Sequence, residues 1–197
     1  MADQLGSIGV FCGSSLGLDR SHSEAAASLG RELARRGLRL VYGGGRVGLM
    51  GVLADAALGE GGEVHGVITE ALKQREVAHL GLTKLDVVAT MHERKAAMAD
   101  KSGAFIMMPG GFGTLDEFFE VLTWNQLGIH AKPCGILNVC GYFDPLLDLI
   151  DAAVSQRFLR VEHRDMVVVD KDPASILERL VSREPVVVDK WLDLDER

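Results

Sequence analysis

The 197-residue sequence predicts one α/β domain, a parallel sheet with helices on both faces, and three observations carry that prediction. Apolar runs of strand length alternate with helical patterns from end to end, as in a chain of β-α-β units. Several runs, such as Ala104–Met108, are apolar throughout, as expected of strands buried on both faces. Glycine-rich turns follow three of the strands. At 47% apolar residues, the chain is large enough to bury roughly 70% of its unfolded surface as a single domain spanning 1–197.

Taken in order, Ser7–Cys12 reads as a strand, Ser21–Arg36 as a helix stopped by Gly37, Leu38–Tyr42 as a strand, Gly48–Leu58 as a helix and Glu63–Ile68 as a strand. Thr69–Gly81 holds a short helix and a loop. A strand at Leu85–Val88 and a helix at Met91–Lys101 follow, then the strand Ala104–Met108 and helical spacing over Asp116–Leu122. Cys134–Val139 and Met166–Val169 are the last strands, Phe143–Arg157 and Pro173–Leu180 the last helices, and the acidic tail from Asp189 is a loosely held surface segment (189–197).

Composition excludes several classes. A net charge of −7 opposes a nucleic-acid scaffold, which needs clustered Lys and Arg. No apolar stretch approaches the roughly 20 residues of a membrane span, and no signal-peptide pattern opens the chain, so a soluble, cytoplasmic protein is expected. Cys12, Cys134 and Cys140 show neither C-x-x-C nor zinc spacing, and His92-Glu93 lacks the second histidine of H-E-x-x-H because Ala96 stands in its place. No metal and no cofactor are expected.

The most informative stretch is Pro109-Gly110-Gly111-Phe112-Gly113-Thr114-Leu115-Asp116-Glu117. Glycines at a strand-to-helix turn let main-chain N–H groups approach a ligand, and the first turn of the helix favours an anion. Thr114 is either an N-cap or a phosphate ligand; Glu117, three residues on, either completes a capping box or places a carboxylate beside the phosphate. No lysine follows the glycines, which disfavours triphosphate chemistry. Two further turns, Gly13-Ser14-Ser15-Leu16-Gly17 and Gly43-Gly44-Gly45-Arg46-Val47-Gly48, end neighbouring strands. Each serves packing alone or joins a pocket of backbone N–H groups suited to a nucleotide. The second matches G-x-G-x-x-G, but after the second strand and without a clear ribose-binding acid, so a nicotinamide or flavin is not expected. Arg94 and Lys95 sit near a helix start, where positive charge is unfavourable unless it faces solvent or a ligand phosphate.

These motifs occur in a recognisable order. Phe11-Cys12-Gly13-Ser14-Ser15, Tyr42-Gly43-Gly44-Gly45 with Gly48-Leu49-Met50-Gly51, Met91-His92-Glu93-Arg94-Lys95, Pro109–Glu117 and Thr123-Trp124-Asn125-Gln126-Leu127-Gly128 resemble the Lonely Guy family, cytokinin riboside 5′-monophosphate phosphoribohydrolases often labelled lysine decarboxylase-like. The resemblance runs from about Ser7 to Leu180. It implies a Rossmann-like fold, a homodimer or larger assembly, and hydrolysis of the N-glycosidic bond of a nucleoside 5′-monophosphate to free base and ribose 5-phosphate. It also implies that Arg94 and Glu117 are catalytic and that Lys95, Gly111, Phe112, Gly113, Thr114, Leu115, Asp116 and Thr123 bind substrate, with Glu76 at an acidic position of the site. Lys73–Leu80 departs from the proline- and glycine-containing sequence common in the family.

Joined to the turn analysis, the candidate binding set also includes Ser14, Gly43, Gly44, Gly45 and Gly110. The leaving base takes its proton from Glu76, Glu120 or solvent, and the base itself is open among cytokinins, adenine and other purines. A carrier or sensor that binds a nucleotide without turnover is the rival reading. The apolar Phe118, Phe119, Val121, Leu122 and Trp124, with Met91, Met98 and Met107-Met108 nearby, mark either a large core or a dimer interface beside the site.

Overall fold

The computed structural model describes residues 5–75 and 78–183. Seven parallel strands form one sheet in the order β4-β3-β2-β1-β5-β6-β7. In chain order the elements are β1 (Ser7–Phe11), α1 (Arg20–Arg35), β2 (Arg39–Tyr42), α2 (Gly48–Gly59), β3 (Val64–Thr69), α3 (Glu70–Arg75), β4 (Lys84–Val88), α4 (Met91–Lys101), β5 (Ala104–Met107), α5 (Phe112–Gln126), β6 (Cys134–Leu137), α6 (Asp144–Ser155), α7 (Val161–Arg164), β7 (Val167–Asp170) and α8 (Pro173–Val181). A 3₁₀ turn at Val139–Gly141 and the short α7 were not expected from the sequence; neither is long enough to carry a helical period. The tail from Asp189 lies outside the described residues.

Alternation along each strand divides the core in two. Ile8 and Val10 of β1, Leu40 and Tyr42 of β2, and Ala104 and Ile106 of β5 face a layer built from α1, α2 and α8, including Leu29, Leu33, Leu53, Ile176 and Leu180. Phe11, Val41, Phe105 and Met107 face the other way, against Met98 of α4 and Phe118 and Val121 of α5. Strands covered on both faces are mostly apolar, and β1, β3, β5 and β6 are buried throughout, with Ser7, His65 and Thr69 as their buried polar residues.

The core also corrects one expectation. Met98, Met107 and Met108 are fully enclosed and add no adaptable surface, while Met91 is 41% exposed. Of the apolar α5 residues, Phe118 and Val121 belong to the core, and Leu115, Leu122 and Trp124 pack partly against it.

The order in which strands are added reverses between β1 and β5: β2, β3 and β4 lie to one side of β1, and β5, β6 and β7 to the other. The connections leaving β1 and β5 therefore diverge and leave a crevice at the carboxyl edge of the sheet. Gly13 N–H donates to the Pro109 carbonyl at 3.0 Å, and Leu49 N–H donates to the Gly13 carbonyl at 3.0 Å, tying the three turns to one rim.

Candidate active site

Two helices reach this rim with opposite treatment of their N-termini. At α4, Thr90 Oγ1 accepts from Glu93 N–H at 3.1 Å while Glu93 Oε2 accepts from Thr90 N–H at 3.1 Å and Ala89 N–H at 2.9 Å, a complete capping box. At α5 the N-cap is Gly111, which has no side chain to close the end. The first N–H groups of α5, on Phe112, Gly113 and Thr114, open toward a cavity of about 300 Å³. Thr114 thus sits inside the first turn rather than at its cap, and no Thr114–Glu117 capping box forms. The sequence places the helix start too late because Gly111 and Gly113 are weak helix formers, yet the packing of Phe118 and Val121 on the sheet carries the helix back to Phe112.

The closed end of α4 sends Arg94 inward, where it is 5% exposed. Its donors are divided among three partners: Nε to the Val67 carbonyl of β3 at 3.0 Å, Nη2 to the Gly43 carbonyl at 3.3 Å, and Nη1 to Glu117 Oε1 at 2.6 Å. Two main-chain carbonyls therefore fix the guanidinium plane, and the remaining edge meets the carboxylate. Arginine suits this role because its planar fork can satisfy three acceptors at once. Burial raises the pKa of Glu117 above the ordinary glutamate range; Arg94 and then Lys95 pull it down, and Asp116 adds a smaller upward push. Lys95 projects beside this pair, to Asp116 at 2.7 Å and Glu120 at 3.5 Å. Burial works against its charge, but those two carboxylates outweigh it and hold Lys95 protonated.

Cys12, Gly13, Ser14, Met50, Leu72 and Met91 complete the cavity with Arg94, Gly111–Thr114, Asp116 and Glu117. Burial pushes the Cys12 thiol far up, with Glu117 adding to the shift, so it is a neutral wall rather than a nucleophile. A larger cavity of about 600 Å³ adjoins across Gly13, Ser14 and Gly111; it is walled by Leu16, Leu18, Leu49 and Tyr142 and holds neither Arg94 nor Glu117. The smaller space is the one with the chemistry.

The structure brings together half of the residues singled out in the sequence. Ser14, Arg94, Gly111, Phe112, Gly113, Thr114, Asp116 and Glu117 line one cavity. Gly110 lies just behind, its carbonyl accepting from Tyr142 Oη at 2.7 Å. Leu115 turns toward the core and Lys95 toward Asp116. Thr123 is exposed about three turns along α5, where its hydroxyl donates to the Phe119 carbonyl at 2.6 Å, and it borders a different cavity. Gly43, Gly44 and Gly45 are buried and are absent from the lining. A Cβ at Gly43 would collide with Arg94 Nη2, and Gly44, at φ +76°, lies against Val67, Ile68 and Leu85. This turn seats Arg94. Glu76 lies outside the described residues.

The cavity contacts of Cys12, Met50, Leu72 and Met91 were missed, although Cys12, Met50 and Met91 belong to motifs already noted. The carbonyls of Gly43 and Val67 have no side-chain signal and could not be read from residue types.

A family model described as "Possible lysine decarboxylase" matches residues 50–180. A cytokinin riboside 5′-monophosphate phosphoribohydrolase of Rhodococcoides fascians is 53% identical over 167 residues, covering 84% of each chain. One of Arabidopsis thaliana is 46% identical over 182 residues, covering 92% of this chain and 85% of its own. The chain belongs to the cytokinin riboside 5′-monophosphate phosphoribohydrolase family.

Solved structures extend the family's fold further. The molybdenum cofactor carrier protein of Chlamydomonas reinhardtii has a TM-score of 0.67 at 21% identity, over 89% of this chain and 98% of its own. The molybdenum cofactor binding protein of Rippkaea orientalis has a TM-score of 0.64 at 22% identity, over 87% and 92%. At that identity the likeness is one of Rossmann-like architecture.

Proposed function

We propose that this chain hydrolyses the N-glycosidic bond of a purine or cytokinin nucleoside 5′-monophosphate, releasing the free base and ribose 5-phosphate. The observation that carries the reading is the buried Arg94–Glu117 pair set beside the uncapped start of α5, in a chain about half identical to phosphoribohydrolases.

The 5′-phosphate is held by the N–H groups of Phe112, Gly113 and Thr114, with Ser14 on the facing loop. That anchor sets the ribose over Glu117, whose carboxylate stabilises positive charge developing at C1′ and orients and deprotonates water. The water oxygen bonds to C1′ as the C1′–N bond breaks, its electron pair leaving with the base. Arg94 holds Glu117 in place and favours its ionised form against the burial that raises its pKa. Glu120 is turned to Lys95 and does not line the cavity, which favours solvent over Glu120 as the source of the base's proton.

Lysine decarboxylation fits these residues poorly. That chemistry needs pyridoxal phosphate on an unprotonated lysine, whereas Lys95, beside the site, is held charged between Asp116 and Glu120.

The same reading includes a homodimer with α5 at its interface. Phe112 is 92% exposed, and Leu127 and Ile129 expose apolar surface beyond the exposed Thr123, so a partner's surface there would cover them and bring Thr123 into use. Sedimentation at micromolar concentration is expected to give twice the chain mass or a multiple of it; a fully active monomer contradicts this. Among the described residues, no helix is long and apolar enough to cross a membrane. We place the protein in the cytoplasm, which fractionation of its host cells would check.

The function is tested by incubating the protein with adenosine monophosphate, N6-isopentenyladenosine monophosphate and the two nucleosides lacking phosphate. Base and ribose 5-phosphate in equal amounts from the monophosphates, with kcat/KM at least about a hundredfold lower for the nucleosides, is the expected result. Tight binding with no base released would support a carrier instead.

A further inference from the structure

We infer that His79 is a positioning residue for Arg94, acting through the Gly43–Gly45 turn; the inference rests on the hydrolytic reading above. Arg94 takes its orientation partly from the Gly43 carbonyl, and the turn bearing that carbonyl is held from outside by residues 78–81. His79 N–H donates to the Gly44 carbonyl at 3.0 Å, and Ala78 forms an antiparallel bridge with Gly45.

The side chain of His79 locks this segment in turn. It is 7% exposed, and its two ring nitrogens have different partners: Nδ1 accepts from Gly81 N–H at 3.2 Å, and Nε2 lies 2.9 Å from Asp55 Oδ1 on α2. Acceptance at Nδ1 assigns the proton to Nε2, which donates to Asp55. The ring therefore closes the 79–81 turn and fastens it to α2. A continuous set of bonds runs from Asp55 through His79, the glycine turn and Arg94 to Glu117. Gly44 adopts a left-handed conformation that glycine permits but does not fix, so bonds from residues 78–81 help to hold the turn.

The fold supplies its own control. His65, equally buried, makes a similar bond to Asp86 at 2.8 Å, but at the amino end of β3, among Lys84, Lys101 and Thr83. Its loss removes a buried histidine–carboxylate pair without touching the glycine turn.

The experiment compares His79→Ala, His79→Gln, Asp55→Ala, the double variant and His65→Ala in the full chain, reading kcat, KM and the thermal midpoint. Exchange of the Arg94 Nη2 protons, which face the Gly43 carbonyl, is followed by NMR in the same proteins. His79→Ala is expected to lower kcat by about tenfold or more with KM within about twofold, because the phosphate anchor is untouched. His79→Gln, which keeps an amide donor and acceptor, recovers most of the loss. The double variant is no slower than His79→Ala, since both changes cut the same chain of bonds. His65→Ala lowers the midpoint and leaves kcat alone. Normal kcat in His79→Ala, or an equal loss in His65→Ala, overturns the inference. If the wild-type protein releases no base, the hydrolytic reading fails, and Arg94 still decides the positioning claim: Nη2 proton exchange faster in His79→Ala than in His65→Ala supports it, and equal exchange contradicts it.

Discussion

The turns Gly43–Gly45 and Gly110–Gly113 look alike in sequence and do opposite work in the folded protein. The second opens a helix whose first N–H groups face a cavity, and Gly111 and Gly113 have free space where a Cβ would stand. The first is buried, and its glycines are required by what presses on them: Arg94 on Gly43, and the side chains of Ile68 and Leu85 on Gly44. One turn leaves space for a ligand; the other leaves space for the protein's own guanidinium. A glycine motif thus reports close approach, and only the structure says by what.

Substitutions separate the two roles. The largest effect is expected at the group that the buried turn serves: Arg94→Ala strips Glu117 of its main cationic partner and lowers kcat by about a hundredfold, with a loss of about 3 kcal/mol in stability from the uncompensated buried carboxylate. Arg94→Lys restores little, since one ammonium cannot meet Val67, Gly43 and Glu117 in a plane. Unchanged kinetics in both would reduce Arg94 to a structural cation. Next is Gly43→Ala. Its new methyl meets side-chain atoms, chiefly the Arg94 guanidinium, and no backbone, so folding survives while Arg94 shifts, and kcat is expected to fall about tenfold at nearly constant KM. Gly113→Ala is the mirror case: no neighbour is disturbed, kcat holds, and KM rises several-fold, about fivefold, as the methyl crowds the phosphate. If Gly43→Ala changes KM and Gly113→Ala changes kcat, the assignment of the two turns is reversed.

These contrasts show what could be read from residues alone. The order of strands and helices was legible because sheet strands covered on both faces are mostly apolar and the helices between them must show a 3.6-residue period. Arg94, Glu117 and the Pro109–Glu117 turn were legible because they combine charge, glycine and spacing in short motifs. The purpose of Gly43–Gly45 was not, because it depends on a main-chain carbonyl and on an arginine 51 residues away. Thr114 misled for a related reason: hydroxyl residues do favour N-caps, and only the packing of Phe118 shows that α5 begins earlier.

The smallest effect is a shift in pH dependence. Burial raises the Glu117 pKa, so activity that requires its ionised form rises with pH through an acid limb above the ordinary glutamate range. Arg94→Ala removes the principal opposing influence and moves the residual limb higher. For stability the sign is reversed: the folded state holds this proton more tightly than the unfolded chain, so the associated stabilisation is full at low pH and is lost as pH rises through the raised pKa. A limb in the normal carboxylate range, unmoved by the substitution, would remove Glu117 from the rate-limiting ionisation.

Glu117→Gln tests the central claim most directly, with nucleotide binding by calorimetry and base release measured on the same preparation. The substitution keeps size and hydrogen bonding but removes the charge proposed to stabilise C1′. Adenosine monophosphate is expected to bind within about threefold of wild type while adenine release falls by at least about a hundredfold. Release at the wild-type rate, with binding intact, would contradict a catalytic role for the Arg94–Glu117 pair.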